Sequence, residues 1–134
     1  MLMIYCDSFV FKPTIKTLDM ADENAQPASY DDVQVAFLQV EEQDEDREGE
    51  VVKKLLKNLK WVCGKNNTRK VVLHSFAHLS ESKASPVFTI QLFSRIEERL
   101  KNAGYEVGQT PFGYFLDLQV DAPGFSLARV FKSF

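Results

Sequence analysis

Two short blocks hold the residues best suited to chemistry. Phe76-Ala77-His78-Leu79-Ser80 follows a short apolar run, and Pro111-Phe112-Gly113-Tyr114-Phe115 comes about thirty residues later. Histidine is a common residue of catalytic sites, which makes His78 the first candidate. Val71, Val72 and Leu73 read as a buried strand that delivers His78 to the loop after its carboxyl end. Ser85-Pro86 then reads as an N-cap and first-turn proline. Strand, histidine loop and helix in that order can build a site, although the same spacing also suits a histidine that only bonds the loop backbone. In the second block, Gly113 permits close backbone approach, and Phe112, Tyr114 and Phe115 offer flat faces on which a base could stack. A tight turn with core aromatics is the alternative reading.

Other chemistries find less support. His74 and His78 are four apart, a zinc-binding spacing on a helix, but here they straddle a strand end and lack a third ligand of the usual kind. No metal and no cofactor are expected. Ser75, Ser80, Ser82 and Ser85 surround His78 without a GxSxG elbow. Cys6 stands beside Asp7, where the first strand is expected to end, and reads as a buried thiol unless it meets His78. The phosphate-cradling patterns GxGxxG and GxxxxGK[ST] are both absent.

These blocks must be positioned by one domain spanning 1–134, a length that can bury a core without staples. The chain is 45% hydrophobic with net charge −3, so bulk charge does not announce a nucleic-acid binder. No apolar run approaches the roughly 18 residues of a membrane span, and Met1-Leu2-Met3-Ile4-Tyr5 lacks a basic n-region. Two cysteines without a CxxC point to a reduced, cytoplasmic protein.

Periodicity places the elements. Leu2 to Phe11 reads as a first strand, Pro13 to Ser29 as a long loop, and Val33 to Val40 as a second strand. An acidic stretch at 41–48 leads into a helix over 49–63, closed by Gly64 at C′. Lys53, Lys54, Lys57 and Lys60 form its far side, a solvated face or, alternatively, an RNA contact. Lys70 to Ser75 is the third strand and 86–103 the second helix, ended by Gly104. Tyr105 with Val107, then Tyr114 to Val120, read as two further strands, and Leu127, Val130 and Phe131 as a short closing helix. The fold class is α/β: a single layered domain, mainly β sheet packed by two long helices.

Taken together, the blocks resemble the amino-terminal editing domain of archaeal threonyl-tRNA synthetases. The likeness is colinear over nearly the whole chain. It runs through Ile4-Tyr5-Cys6-Asp7, Val35-Ala36-Phe37 with Val40-Glu41, Phe76 to Ser80, and Gly104-Tyr105-Glu106-Val107-Gly108 continuing to Tyr114. It implies a D-aminoacyl-tRNA deacylase-like fold, usually dimeric, and hydrolysis of serine misattached to threonine tRNA. It implies His78 as the catalytic position and Ala77, Phe112, Gly113, Tyr114 and Asp7 as substrate-binding positions, with Asp7 near the terminal adenosine. A ribose hydroxyl of the tRNA is implied to help activate water. The implied partners are the tRNA acceptor end with its aminoacyl group, a second copy of the chain and a threonyl-tRNA synthetase catalytic chain, with no membrane. Catalytic and anticodon domains of a synthetase are not expected within this length, so a free-standing editing-type protein or an excised domain is implied.

The chain also departs from the pattern. A lysine of the family falls at Leu116, a glutamate at Arg129, a proline at Ser75, and a histidine-serine pair at Tyr5-Cys6. These departures keep two alternatives open: a degenerate domain that binds tRNA or a synthetase without hydrolysis, and a deacylase of altered specificity.

Overall fold

The computed structural model describes residues 1–134. The elements follow as β1 (Leu2–Lys16), β2 (Ala28–Leu38), α1 (Glu48–Lys65), β3 (Lys70–Ser75), α2 (Pro86–Asn102), β4 (Glu106–Gln109), β5 (Tyr114–Asp121) and β6 (Arg129–Phe131). All six strands join one mixed sheet in the order β4-β3-β2-β1-β5, with β6 also paired to β1. β2, β3 and β4 are parallel neighbours, while β1 is antiparallel to β2, β5 and β6. Parallel neighbours need a long crossover. The two helices supply it, which is why strands and helices alternate in the middle of the chain.

Each helix exists because its apolar stripe has a sheet face to cover. Leu55 and Leu59 of α1, with Leu92 and Ile96 of α2, bury against Ala36 and Leu73 in the main core. Ser85 Oγ accepts from the Phe88 N–H at 3.2 Å, and Pro86 occupies the first turn. Gly104 follows the last turn of α2 with φ +89°, a conformation that favours glycine. Gly64 is different: α1 runs past it to Lys65, and the Asn66 N–H closes the last turn on the Val62 carbonyl at 2.9 Å. The Asn66 side chain donates to Gln34 and to the Leu127 carbonyl, so tertiary contacts lengthen the helix. Lys53, Lys57 and Lys60 of the lysine stripe are exposed, and Lys54 pairs with Glu50 at 2.8 Å. The acidic stretch forms a 3-10 turn, Glu42–Arg47, whose buried Asp44 accepts from the Glu41 N–H.

Three expectations need correction. The first strand does not end near Phe11, and Pro13 does not open a loop: β1 continues to Lys16. Proline is tolerated there because pairing with β2 stops at Phe11↔Ala28, and the register to β5 shifts between Pro13 and Lys16. Tyr5-Cys6-Asp7 therefore lies within a strand rather than at its end. Third, the closing segment is not a helix. Ser126–Ala128 is a single 3-10 turn, and Arg129–Phe131 pairs with Leu2–Ile4, where the edge of β1 left free by β5 needs hydrogen-bond partners.

The sheet face away from the helices carries a second core. Cys6 and Val33 point into it, yet so do Phe9 and Phe11, an odd-for-even switch along β1. Asp32, at φ 52°, stands at the switch, where the pairing passes from Cys6↔Val33 to Ser8↔Asp31. Leu116 and Leu118 of β5 pack against this second core.

Candidate active site

A cleft of about 410 Å³ opens where the carboxyl ends of β2 and β3 meet the β4–β5 loop. Ala77, His78, Phe112, Gly113 and Tyr114 all line it, although the two blocks are far apart in sequence. β3 delivers the first block and its parallel partner β4 the second. The Thr110 N–H donates to the Leu73 carbonyl at 3.0 Å and extends the pairing to the rim.

His78 is exposed, and its ring packs edge-on to Phe76 at 4.9 Å between centroids. Neither ring nitrogen is bonded to the protein, so the alternative of a histidine that holds the loop backbone does not apply. Gly113 adopts φ +83°, and a Cβ there would stand 2.8 Å from that of Ala21. Its carbonyl accepts from the Thr17 N–H at 2.7 Å, and the Tyr114 hydroxyl donates to the Asp22 carbonyl. The second block is thus pinned against the chain that leaves β1. Phe115 lines the same cleft and remains 64% exposed, a flat apolar face available to a ligand.

The His78 loop is held by Gln39, a residue sequence reasoning missed. Its Oε1 accepts from the Leu79 and Ser80 N–H groups at 2.6 and 2.7 Å. Its Nε2 donates to the Ser80 and Ser82 carbonyls at 2.7 and 2.8 Å. One side chain therefore satisfies four backbone groups of a loop with no regular partners of its own. The Ser80 hydroxyl adds a 2.6 Å bond to Glu41. Only pairing at distance shows this, since a glutamine after a strand carries no sequence signal.

In sequence, His74 stands out only as half of a metal-binding spacing. It lines the cleft at 6% exposure, its Nδ1 lies 2.8 Å from Thr110 Oγ1, and its ring meets Phe37 edge-on at 5.0 Å. Burial pushes its pKa down to about 4, so it is neutral at physiological pH. The signal available in sequence was a polar residue ending an apolar strand run.

The remaining candidates fall elsewhere. Asp7 is exposed in the middle of β1 and does not line the cleft. Cys6 is fully buried within the second core, with its thiol pushed up to about 11 by burial, and it does not meet His78. Leu116 lines the cleft. Arg129 does not, because its guanidinium donates to the Pro123 carbonyl at 3.0 Å. A smaller crevice of about 70 Å³ beside Met1 and Phe134 contains neither histidine. Among the residues of the main cleft, Lys83 is the one permanent charge, and no carboxylate is present.

A mixed sheet of six strands layered by two helices, in one small domain, is the D-aminoacyl-tRNA deacylase-like fold. A solved structure of the c-Myc DNA unwinding element binding protein shares it, with TM-score 0.62 over 92% of this chain and 91% of that one at 10% identity. That likeness speaks for the fold alone. Over residues 1–134 the sequence matches the archaea-specific editing domain of threonyl-tRNA synthetase, and the chain belongs to that family. The threonine–tRNA ligases of Thermococcus sibiricus and Pyrococcus furiosus are each 32% identical, over 98% and 99% of this chain. That of Methanopyrus kandleri is 28% identical over 99%. The chain spans 22% of the length of each of these relatives.

Proposed function

We propose that this domain edits aminoacyl-tRNA by hydrolysing the ester of serine misattached to threonine tRNA. Water attacks the ester carbonyl carbon, the bond to the terminal ribose breaks, and serine and a free ribose hydroxyl leave. The observation that carries this reading is the single cleft into which Ala77-His78 and Phe112-Gly113-Tyr114 converge, in a chain of the editing family. The physical need is clear: a threonine site that loses one methyl contact to serine discriminates by only about 1–3 kcal/mol, so a second site must remove the error.

The cleft suits a tRNA end. It is free of carboxylates although the chain has net charge −3, so a phosphodiester meets Lys83 and the exposed His78 rather than repulsion. Phe115 offers a face for the terminal base. His78, with both ring nitrogens unbonded to protein, orients the ester or the water. The tRNA ribose hydroxyl contributes the remaining activation, so that no strong protein base is required.

A second reading has its own observation. Leu116 lines the cleft without a cation at its position, and Arg129 stands outside it, which favours a domain that binds tRNA or a synthetase chain without hydrolysis. Incubation with Ser-, Thr- and D-aminoacyl-tRNA, following ester loss, separates the two. The editing reading expects loss from Ser-tRNA and not from Thr-tRNA. It further expects His78→Ala to slow that loss at an unchanged unfolding midpoint. Binding without ester loss establishes the inert module, and preferential loss from D-aminoacyl-tRNA establishes altered specificity.

A further inference from the structure

His74 has a hydrogen-bonding capacity that the protein leaves half used. Nδ1 lies 2.8 Å from Thr110 Oγ1, and no other partner serves that hydroxyl. Were Nδ1–H the donor, the buried Thr110 hydroxyl hydrogen would be left without an acceptor. The arrangement that satisfies both groups has Thr110 O–H donating to Nδ1, which puts the imidazole proton on Nε2. Nε2 is bonded to nothing in the protein, on a residue only 6% exposed that lines the cleft. Phe37 and Phe76 pack around the ring at 5.0 and 5.9 Å between centroids and fix its plane. Unlike the enclosed, unpaired Gln34 Nε2 and Asn66 Oδ1, the His74 Nε2 is not sealed in the interior and opens to the cleft. Its counterpart is supplied from the cleft.

We propose that His74 determines specificity: its Nε2–H donates to the side-chain hydroxyl oxygen of a small aminoacyl group and so favours a seryl over an alanyl or glycyl ester. This rests on the reading of the cleft as an aminoacyl-ester site. His74 is nearly enclosed, whereas Ala77, His78 and Phe115 are exposed. The RNA and the ester, which must meet water, belong with the exposed residues. The terminal part of the ligand, the amino-acid side chain, then reaches the enclosed one. A neutral imidazole fits a neutral hydroxyl, and a site that bonds a hydroxyl rejects the analogue lacking it because the buried donor stays unpaired.

The test uses two hydrolysis-resistant probes, 3′-deoxy-3′-amino-adenosine carrying L-serine or L-alanine in amide linkage. They are titrated into the wild-type chain, His74→Phe and Thr110→Val by calorimetry. The proposal expects the wild type to prefer the seryl probe by about tenfold. It expects His74→Phe, which keeps the ring packing, to bind both probes at the wild-type alanyl affinity. Thr110→Val, which releases the tautomer, should narrow the preference. In nitrogen-15 spectra of the wild type, the His74 Nε2 resonance should shift with the seryl probe and stay put with the alanyl one. Equal binding of both probes to the wild type, or an undiminished preference in His74→Phe, overturns the proposal and leaves the aminoacyl-ester reading standing. Binding of neither probe overturns both. Should His74→Phe not fold, Thr110→Val and the wild-type Nε2 resonance still decide.

Discussion

A neutral imidazole under the cleft makes stability depend on pH. Burial holds His74 at about 4 against its usual 6.5. Between those values the unfolded chain takes up the proton and the folded chain does not, so stability rises with pH across that window. The contribution is complete above about pH 6.5 and is lost as pH falls toward 4. Its ceiling is about 3 kcal/mol. Urea midpoints of wild type and His74→Phe should therefore diverge in pH slope between pH 4.5 and 7, with the variant the flatter. Parallel slopes would contradict this account of the buried ring. Leu116 is the other residue with a consequence of its own. It lines the cleft as an apolar side chain, where a preorganised cation could stabilise charge developing on the ester. Leu116→Lys should raise Ser-tRNA deacylation roughly tenfold, short of the 10²–10³ of a fully preorganised donor. Arg129→Glu should add nothing within one chain, since Arg129 is engaged with Pro123 outside the cleft. Single-turnover ester loss measures both.

At the scale of elements, the site is two loops held by side chains rather than by ladders. Gln39 follows the last residue of β2 and carries four hydrogen bonds into the segment after His78. Truncating it to alanine strands the Leu79 and Ser80 N–H groups, a loss of about 1–3 kcal/mol where water cannot replace the acceptor. Gln39→Ala should speed amide exchange at Leu79 and Ser80 while leaving Val71, Val72 and Leu73 in β3 protected. Uniform acceleration across β3 would mean that Gln39 supports the whole sheet instead of the loop. The second loop is held in the same local way, by the Thr17 N–H just past the end of β1 bonding the Gly113 carbonyl.

Across the whole molecule, several large apolar side chains toward the carboxyl end stay exposed: Val120, Phe125 and Phe131 at 44%, 47% and 57%. Phe134 packs against the main core. A second copy of the chain would cover the exposed side chains. Sedimentation at tens of micromolar should show a dimer, and Phe131→Glu should return it to monomer; a wild-type monomer would refute the dimer. No helix is long and apolar enough to cross a membrane.

Sequence periodicity was enough to locate the two helices, the central strands and the two loop blocks. Those features depend on short-range patterns: apolar stripes recurring each turn over α1 and α2, the run Val71-Val72-Leu73 that must be buried, and the Ser85-Pro86 start signal. The family likeness added the pairing of the blocks. Neither revealed the path of β1 beyond Pro13, the strand β6 or the extension of α1 past Gly64. Each of these answers to a partner distant in sequence: β5 for Pro13 to Lys16, the free edge at Leu2–Ile4 for β6, and Gln34 with Leu127 for Asn66. The same holds for the site. His78 announced itself by type and neighbours. That Gln39 clamps its loop, that Thr110 meets His74 Nδ1 and that Asp7 lies outside the cleft follow from where strand pairing brings them, because hydrogen bonds and burial are properties of the folded neighbourhood and not of the residue.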